Sequence, residues 1–126
     1  MNKIFYTSVA GINFRARPED VGQIIGYVEQ DPTNSYNPKA VAVRRIGGEL
    51  LGYVAERDLD QFYQFKGEGY DTMAFAGNIK KVDRGGRNFY VGNIAIFRSS
   101  NNKELEEMIE KHWNDDFNIY GKTEIK

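Results

Sequence analysis

The side chains best suited to hold a ligand lie in one short polar segment, residues 31–38. The segment places two amide side chains, those of Asn34 and Asn37, before and after the aromatic ring of Tyr36. An aromatic face stacks on any nucleobase, with a contribution on the order of 1–3 kcal/mol. A carboxamide can both donate a hydrogen bond to a hydroxyl group and accept one from it. The segment therefore has the chemistry to bind a flat polar group such as a nucleotide.

A second aromatic residue, Phe14, is followed closely by two cations, Arg15 and Arg17. Guanidinium groups neutralise phosphates, so this stretch can complement the segment that carries the ring and the amides. Structural roles compete with these ligand-binding roles. Tyr36 is alternatively a buried anchor of its loop, and Phe14 a core residue. The two asparagines are alternatively residues that only shape the loop through their own side-chain hydrogen bonds.

Catalytic and metal-binding chemistry is not indicated by the sequence. The chain has a single histidine, His112, and no cysteine, so it lacks the side chains of a thiolate metal site or a disulfide. Asp58 and Asp60 are two positions apart on a predicted helix, so their carboxylates face apart. The sequence contains no phosphate-binding loop or dinucleotide fingerprint. We therefore predict a binding protein without catalytic residues, a metal ion or a cofactor.

Charge is distributed unevenly along the chain, although the formal net charge is only −1 and the pI about 5.9. This balance excludes a uniformly basic nucleic-acid-binding protein. Basic residues crowd the stretch 80–87, and acidic residues dominate the stretch 104–116. The basic stretch is either a solvated hairpin tip or a local contact for phosphate groups.

The length of 126 residues suits a single domain, and the hydrophobic and charged fractions, 40% and 28%, are those of an ordinary globular protein. No apolar run approaches the roughly 18 residues that cross a bilayer. The N-terminus does not have the pattern of a signal peptide. We therefore expect a cytoplasmic protein without a membrane segment.

β-Branched and aromatic residues, partly in strict alternation with polar ones, predict strands over the first two-thirds of the chain. The predicted strands are residues 4–11, 23–29, 40–43 and 50–54, followed by one long hairpin over residues 73–97. Glycine pairs supply the tight turns between strands because glycine tolerates positive φ. A closed barrel is favoured over a sandwich because closure removes exposed strand edges.

Two helices complete the predicted fold. The first, residues 55–65, has an apolar face that consists of Leu59, Phe62 and Tyr63. The second follows Asn101, with Glu104 placed for an approximate capping box. Its apolar stripe consists of Leu105, Met108, Ile109 and Trp113.

The predicted fold is thus mainly β, a small barrel of about six strands with two helices. Residues 1–98 form the barrel, and residues 99–126 form a C-terminal helix and tail that pack on the same domain. The chain beyond Asp116 has no strong pattern and is expected to fray.

Three sequence blocks resemble the HIRAN family. The central block, residues 31–43, matches a D-P-x-N-x-[YH]-[DN]-x-x-A-[VI]-x-V pattern that leads into a strand. Upstream, residues 9–14 are similar to the family's opening V-x-G-x-x-[FY] strand, and downstream residues 51–54 match its glycine, aromatic and aliphatic step. The resemblance covers roughly residues 4–98, with the blocks in the family's order.

The resemblance implies an OB-like barrel that binds single-stranded DNA. In fork-remodelling members of the family, two aromatic rings sandwich the terminal base of a free 3′ end, and an acidic residue bonds the terminal hydroxyl. By their place in the motif, Phe14 and Tyr36 are the stacking rings and Asn37 stands in the position of the acid. The full predicted set of DNA contacts also includes Asn13, Arg15, Asn34, Lys39, Tyr53 and Arg57.

Two departures from the family pattern predict weaker DNA binding than in the fork remodellers. Asn37 is neutral where the end-binding members carry an acid, so it would repel a terminal phosphate less. Tyr53 and Glu56 lie near positions where those members use basic phosphate contacts. Glu56 would oppose a phosphate, and Arg57 next to it can supply the missing positive charge.

The function predicted from the sequence is a non-catalytic module that recognises single-stranded DNA ends, and 3′ ends in particular, in DNA repair or replication. A helicase or nuclease on a separate chain would then supply motor or cleavage activity. The alternative function is a protein–protein adaptor that recruits a separate DNA-processing enzyme. The slight acidity of the chain and its extra C-terminal helix favour this alternative.

Overall fold

The computed structural model of the protein describes residues 3–70, 72–99 and 101–114, with side chains as far as residue 111. Its strands are β1 (Ile4–Ala10), β2 (Gly22–Gln30), β3 (Val41–Arg45), β4 (Leu50–Val54), β5 (Thr72–Arg84) and β6 (Arg87–Phe97). Its α-helices are α1 (Leu59–Lys66) and α2 (Asn102–Asn114). Short 3₁₀ turns cover Ile12–Phe14, Pro18–Asp20 and Glu56–Asp58.

The strands form a closed antiparallel barrel in the order β1-β4-β3-β2-β5-β6. The barrel closes where β6 pairs with β1, from Ile4 opposite Phe97 to Ser8 opposite Asn93. The prediction of a mainly β protein with a six-stranded barrel and two helices is therefore confirmed. Neither described helix is long and apolar enough to cross a membrane.

Side chains alternate between the two faces of each strand, and those on the inward face fill the barrel interior. Phe75 and Ile79 of β5 and Ile96 of β6 are buried there. Phe62 of α1 joins this core and meets the ring of Phe5 edge-on, with 5.9 Å between the ring centroids. Full burial of such a side chain contributes about 1.5–3 kcal/mol, so these positions supply most of the driving force for folding.

Gly52 allows β4 to approach β1 closely. A Cβ atom at this position would lie 2.3 Å from the carbonyl oxygen of Ala10 and 2.7 Å from a methyl group of Val9. Both distances are shorter than van der Waals contact, so only glycine fits without a shift of the backbone. The hypothesis that Gly52 serves backbone packing agrees with this geometry, which brings Ala10 and Tyr53 side by side as register partners.

The first helix starts later than predicted, whereas the second starts after Asn101 as predicted. The first helix begins at Leu59 rather than at position 55, because the preceding residues form a 3₁₀ turn. Asn101 caps α2 as predicted, since its Oδ1 accepts the backbone N–H groups of Lys103 at 3.0 Å and Glu104 at 3.2 Å. A full capping box would also have the Glu104 carboxylate accept the backbone N–H of Asn101, and this part of the prediction is wrong. The Glu104 carboxylate accepts from Lys3 and Ser99 instead, and the Asn101 N–H donates to Ser99 Oγ.

Helix α2 packs on the outer face of the barrel. Its side chains Leu105, Met108 and Ile109 contact a second apolar cluster that contains Ala76, Ala95 and Phe97. These three helix residues belong to the predicted stripe. The side chains of Trp113 and His112 and the tail beyond Asp116 lie outside the described residues.

The β5–β6 hairpin extends beyond the barrel wall. The last pair between β2 and β5 is Gly22 with Ile79, and the last between β1 and β6 is Ser8 with Asn93. Residues 80–84 and 87–91 pair only with each other, from Lys80 opposite Val91 to Arg84 opposite Arg87. We call residues 80–91 the arm. Its turn is made by Gly85 and Gly86, whose φ angles of 62° and 83° are those of a tight hairpin turn.

Candidate nucleic-acid interface

The loop of residues 31–40 is built by its own asparagine side chains. Asn34 Oδ1 accepts the backbone N–H groups of Tyr36 at 2.9 Å and Asn37 at 3.0 Å. Asn37 Oδ1 accepts the N–H of Lys39 at 2.9 Å. Both amides therefore shape the loop, and this structural role leaves part of their hydrogen-bonding capacity for a ligand.

These bonds decide what each amide can still offer to a ligand. A carboxamide oxygen has two lone pairs, and its NH₂ group has two donors. The oxygen of Asn34 uses both lone pairs within the loop. The oxygen of Asn37 uses one and keeps the other. Asn37 can thus donate to a ligand and also accept from it, whereas Asn34 can only donate.

Helix α1 contacts the loop through a hydrogen bond from Tyr63. The hydroxyl of Tyr63 donates a hydrogen bond to the backbone carbonyl of Lys39 at 2.7 Å. Burial raises the pKa of Tyr63, so the hydroxyl remains a donor at neutral pH. The loop is therefore fixed by the asparagine bonds within it and by the Tyr63 bond near its C-terminal end.

A pocket of about 200 Å³ lies between this loop and the junction of β1 with β4. Four of the predicted DNA contacts line it, namely Asn34, Tyr36, Asn37 and Tyr53. The remaining lining residues are Ala10, Gly11, Ala40, Val54, Glu56 and Leu59. Drug-sized ligands occupy roughly 300–1,000 Å³, so the size suits a smaller group such as a single nucleobase.

The two predicted stacking rings are both exposed. Tyr36 is 96% exposed and Phe14 is 88% exposed. The alternatives that Tyr36 is a buried anchor and that Phe14 is a core residue are therefore wrong. Phe14 is not among the residues that line the described pocket. It ends the 3₁₀ turn that starts after Gly11, whose carbonyl accepts the Phe14 N–H at 3.2 Å.

Arg15 brings a positive charge to the rim of the pocket. Its guanidinium carbon lies 5.7 Å from the centroid of the Tyr53 ring, and its Nη1 donates to the carbonyl of Gly11 at 3.2 Å. Both contacts are with residues that line the pocket. A phosphate next to a base in the pocket would meet this cation.

The other predicted contacts lie outside the pocket. Lys39 borders a separate depression of about 530 Å³ together with Gln30, Pro38, Asp60, Tyr63 and Gln64. Arg57 donates to Ser8 Oγ at 3.1 Å. Asn13 Oδ1 accepts the backbone N–H of Tyr90 at 3.0 Å. Asn13 therefore connects the Ile12–Phe14 turn to the arm rather than lining the pocket.

Two acidic residues beside the start of α1, Asp58 and Glu56, have different roles. Asp58 Oδ2 accepts a hydrogen bond from the hydroxyl of Thr7 at 2.7 Å, which ties the start of α1 to β1. Glu56 lines the pocket, although the sequence-based set of contacts omitted it. The sequence shows that Glu56 follows a predicted strand, but it does not show that the residue lines a pocket.

Among the described residues, no group of three histidine, cysteine or acidic side chains could hold a metal ion.

Comparison with solved structures finds two similar folds. The HIRAN domain of human HLTF matches at 14% identity and a TM-score of 0.40, covering 87% of this chain and 88% of that domain. The fold is similar to a HIRAN domain. A protein from Lactobacillus plantarum matches at 16% identity and a TM-score of 0.44, covering 74% of this chain and 92% of the other. No family model and no curated protein matches the sequence.

Proposed function

We propose that this chain is a non-catalytic module that binds the end of a single DNA strand in the pocket beside Tyr36. One observation carries the proposal: Asn34, Tyr36 and Asn37 of one loop and Tyr53 of β4 line the same small pocket. The pocket combines an exposed ring with amide donors, and this is the chemistry that binds a nucleobase and its sugar.

The bound strand uses each of these groups differently. The terminal base stacks on Tyr36, and the phosphate that follows it meets Arg15 at the rim. Phe14, exposed beyond Arg15, offers a second ring for the next base. The strand then leaves the pocket towards the Ile12–Phe14 turn.

A free 3′ hydroxyl is the end that fits this pocket best. Asn37 retains both a donor and an acceptor, so it can bond a hydroxyl in either direction. Glu56 adds a carboxylate that accepts from a hydroxyl and repels a terminal phosphate. We propose that such ends arise in DNA repair or replication and that a helicase or nuclease on a separate chain acts on them. We propose that the module binds such ends in the cytoplasm.

Fluorescence anisotropy tests this proposal with three probes: an oligonucleotide ending in a 3′ hydroxyl, the same one ending in a 3′ phosphate, and a blunt duplex. We expect the tightest binding for the 3′ hydroxyl. Tyr36→Ala should weaken it by about 1–3 kcal/mol, the contribution of one stacked ring. Its exposed ring makes no core contact, so the melting temperature should not change.

Ile46→Ala is the matched control, because it removes another exposed apolar side chain, 68% exposed, at the β3–β4 turn. It should bind like the unmodified protein. Equal affinity of Tyr36→Ala and Ile46→Ala for all three probes would contradict the proposed site.

A protein–protein adaptor is the second candidate, and the surface of α2 favours it. The residues of α2 that face away from the barrel include Glu106, Glu107 and Glu110, all exposed. Such a face suits a partner with a basic surface. In this arrangement residues 1–98 form the barrel, and residues 99–126 carry the docking helix. Recovery of a stable complex that Glu106→Lys and Glu110→Lys abolish, without any binding of oligonucleotide, would favour the adaptor.

A further inference from the structure

We propose that the arm, residues 80–91, is a second DNA-contacting element that holds duplex next to the strand end bound in the pocket. The identity of the ligand rests on the proposed function, whereas the surface itself is defined by the pairing and the charges of the arm. The pocket and the arm are different parts of the molecule, so their contributions can be separated by experiment.

The pairing of the arm places three of its four cations on one face and the fourth, Lys81, on the opposite face. Side chains alternate between the two faces of a strand, and residues directly opposite share a face. Lys80, Arg84 and Arg87 therefore lie on the same face, together with the half-buried apolar side chains of Val82, Phe89 and Val91. The guanidinium carbon of Arg87 lies 5.6 Å from the centroid of the Phe89 ring. This face is cationic and aromatic at once.

The arm contains a single carboxylate, and it lies off this face. Asp83 alternates onto the opposite face, where its Oδ1 accepts the backbone N–H of Gly86 at 3.0 Å and so stabilises the turn. Among the described residues, neither Arg84 nor Arg87 takes part in an ion pair. Directly opposed like charges destabilise a strand pair. The hairpin gains nothing from Arg84 opposite Arg87, whereas a polyanion would neutralise both.

The arm is joined to the rim of the pocket. Asn13 Oδ1 accepts the backbone N–H of Tyr90 in the arm, and the next residue is the exposed Phe14. The same turn begins after Gly11, which lines the pocket. A strand that leaves the pocket past Arg15 and Phe14 therefore arrives at the arm.

The dimensions of the arm fit duplex DNA. A two-stranded β-ribbon enters the major groove, which is about 12 Å wide. Residues rise about 3.4 Å each along an antiparallel strand, so Lys80 and Arg84, four residues apart, are separated by roughly 14 Å. The cations at the two ends of the face can thus meet phosphates on both sides of the groove, while the apolar residues between them cover base edges.

The test compares two probes, a short single strand and a duplex with a 3′ overhang of the same sequence. The variant is Arg84→Gln with Arg87→Gln, and the control is Lys103→Gln with Lys111→Gln, which removes two exposed cations from α2. We expect the arm variant to bind the overhang duplex about tenfold more weakly. Its plot of log affinity against log salt should be shallower by about 2, because each phosphate contact adds roughly 0.9 to that slope. Binding of the short single strand should be unchanged, and the control should match the unmodified protein on both probes.

The outcomes on the two probes separate the inference about the arm from the proposed function of the pocket. Unchanged affinity of the arm variant for the overhang duplex would overturn the inference, and the proposed function would still stand if Tyr36→Ala weakened binding of the short strand. Equal weakening on both probes would show that the arm is not a separate element. Conversely, arm-dependent binding of the duplex without any binding of the short strand would support the arm and contradict the proposed pocket. Failure of the unmodified protein to bind either probe would overturn both.

Discussion

At the scale of single residues, Asn37 can bond the terminal group of a strand but does not distinguish a hydroxyl from a phosphate. Its oxygen is partly used by the Lys39 N–H, and its remaining capacity is mixed, with two donors and one lone pair. A group with mixed capacity bonds a hydroxyl and a phosphate oxygen alike. Within the pocket, discrimination between these two ends then depends mainly on the Glu56 carboxylate.

Asn37→Asp should sharpen this discrimination. The aspartate oxygen can still accept the Lys39 N–H, so the loop should keep its shape, while the donors are replaced by a negative charge. We expect the preference for a 3′ hydroxyl over a 3′ phosphate to rise by about tenfold, which corresponds to 1.4 kcal/mol. Anisotropy with the two probes measures the ratio. A ratio that stays the same would show that position 37 does not contact the terminal group.

At the scale of secondary structure elements, the pocket depends on how closely β1 and β4 approach. Ala10 and Tyr53 line the pocket from these two strands, and the close approach requires glycine at position 52. Gly52→Ala should therefore destabilise the fold by about 1–3 kcal/mol, the usual effect of overpacking. Denaturant unfolding measures the change.

Gly47→Ala is the control for this substitution, because the nearest atom to a Cβ at position 47 is 3.7 Å away and the backbone there does not have positive φ. Its stability should lie within about 0.5 kcal/mol of the unmodified protein. Equal midpoints for the two variants would show that the barrel relaxes around Gly52 at no cost.

The elements were more predictable from the sequence than the contacts between them. Alternation and glycine pairs located the strands to within a residue or two, because a half-buried strand must alternate whatever surrounds it. The loop of residues 31–40 was equally clear, since proline and asparagine act locally. The pocket walls from Glu56 and Leu59 were not predictable, because they depend on how α1 and β4 meet the loop in space. Asn13 illustrates the same limit, since its partner Tyr90 is 77 positions away in the chain.

At the scale of the whole molecule, a buried carboxylate joins segments that are far apart in the sequence. Asp20 is 7% exposed and accepts hydrogen bonds from the backbone N–H of Arg17 and from the guanidinium of Arg45. Burial alone would raise the pKa of Asp20. The hydrogen bonds and the two positive charges outweigh burial and lower the pKa. The turn before β2 is thereby fixed to the end of β3.

This arrangement predicts a stability contribution that disappears in acid. An unfolded aspartate titrates near pH 3.9, and the folded pKa of Asp20 is lower. The contribution is therefore fully present above the unfolded pKa and is lost as the pH falls through the folded value. Asp20→Asn should be less stable by roughly 1–3 kcal/mol at pH 7, and its stability should fall less than that of the unmodified protein between about pH 5 and pH 2.

Thermal unfolding across this pH range measures the effect, and Glu107→Gln, at an exposed position in the middle of α2, is the control. The control should keep the pH dependence of the unmodified protein. An identical dependence for Asp20→Asn would show that this carboxylate titrates alike in the folded and unfolded states.

The position of the arm outside the barrel wall makes its reach adjustable. The barrel register is set by pairs that end at Ile79 on β5 and Asn93 on β6, so residues inserted nearer the Gly85–Gly86 turn leave those pairs in place. Two residues added to each strand restore the same face orientation and move the tip outward by about 7 Å. Homologous or engineered chains can therefore lengthen or shorten this projection in steps of two residues per strand while the closed barrel and its pocket stay the same.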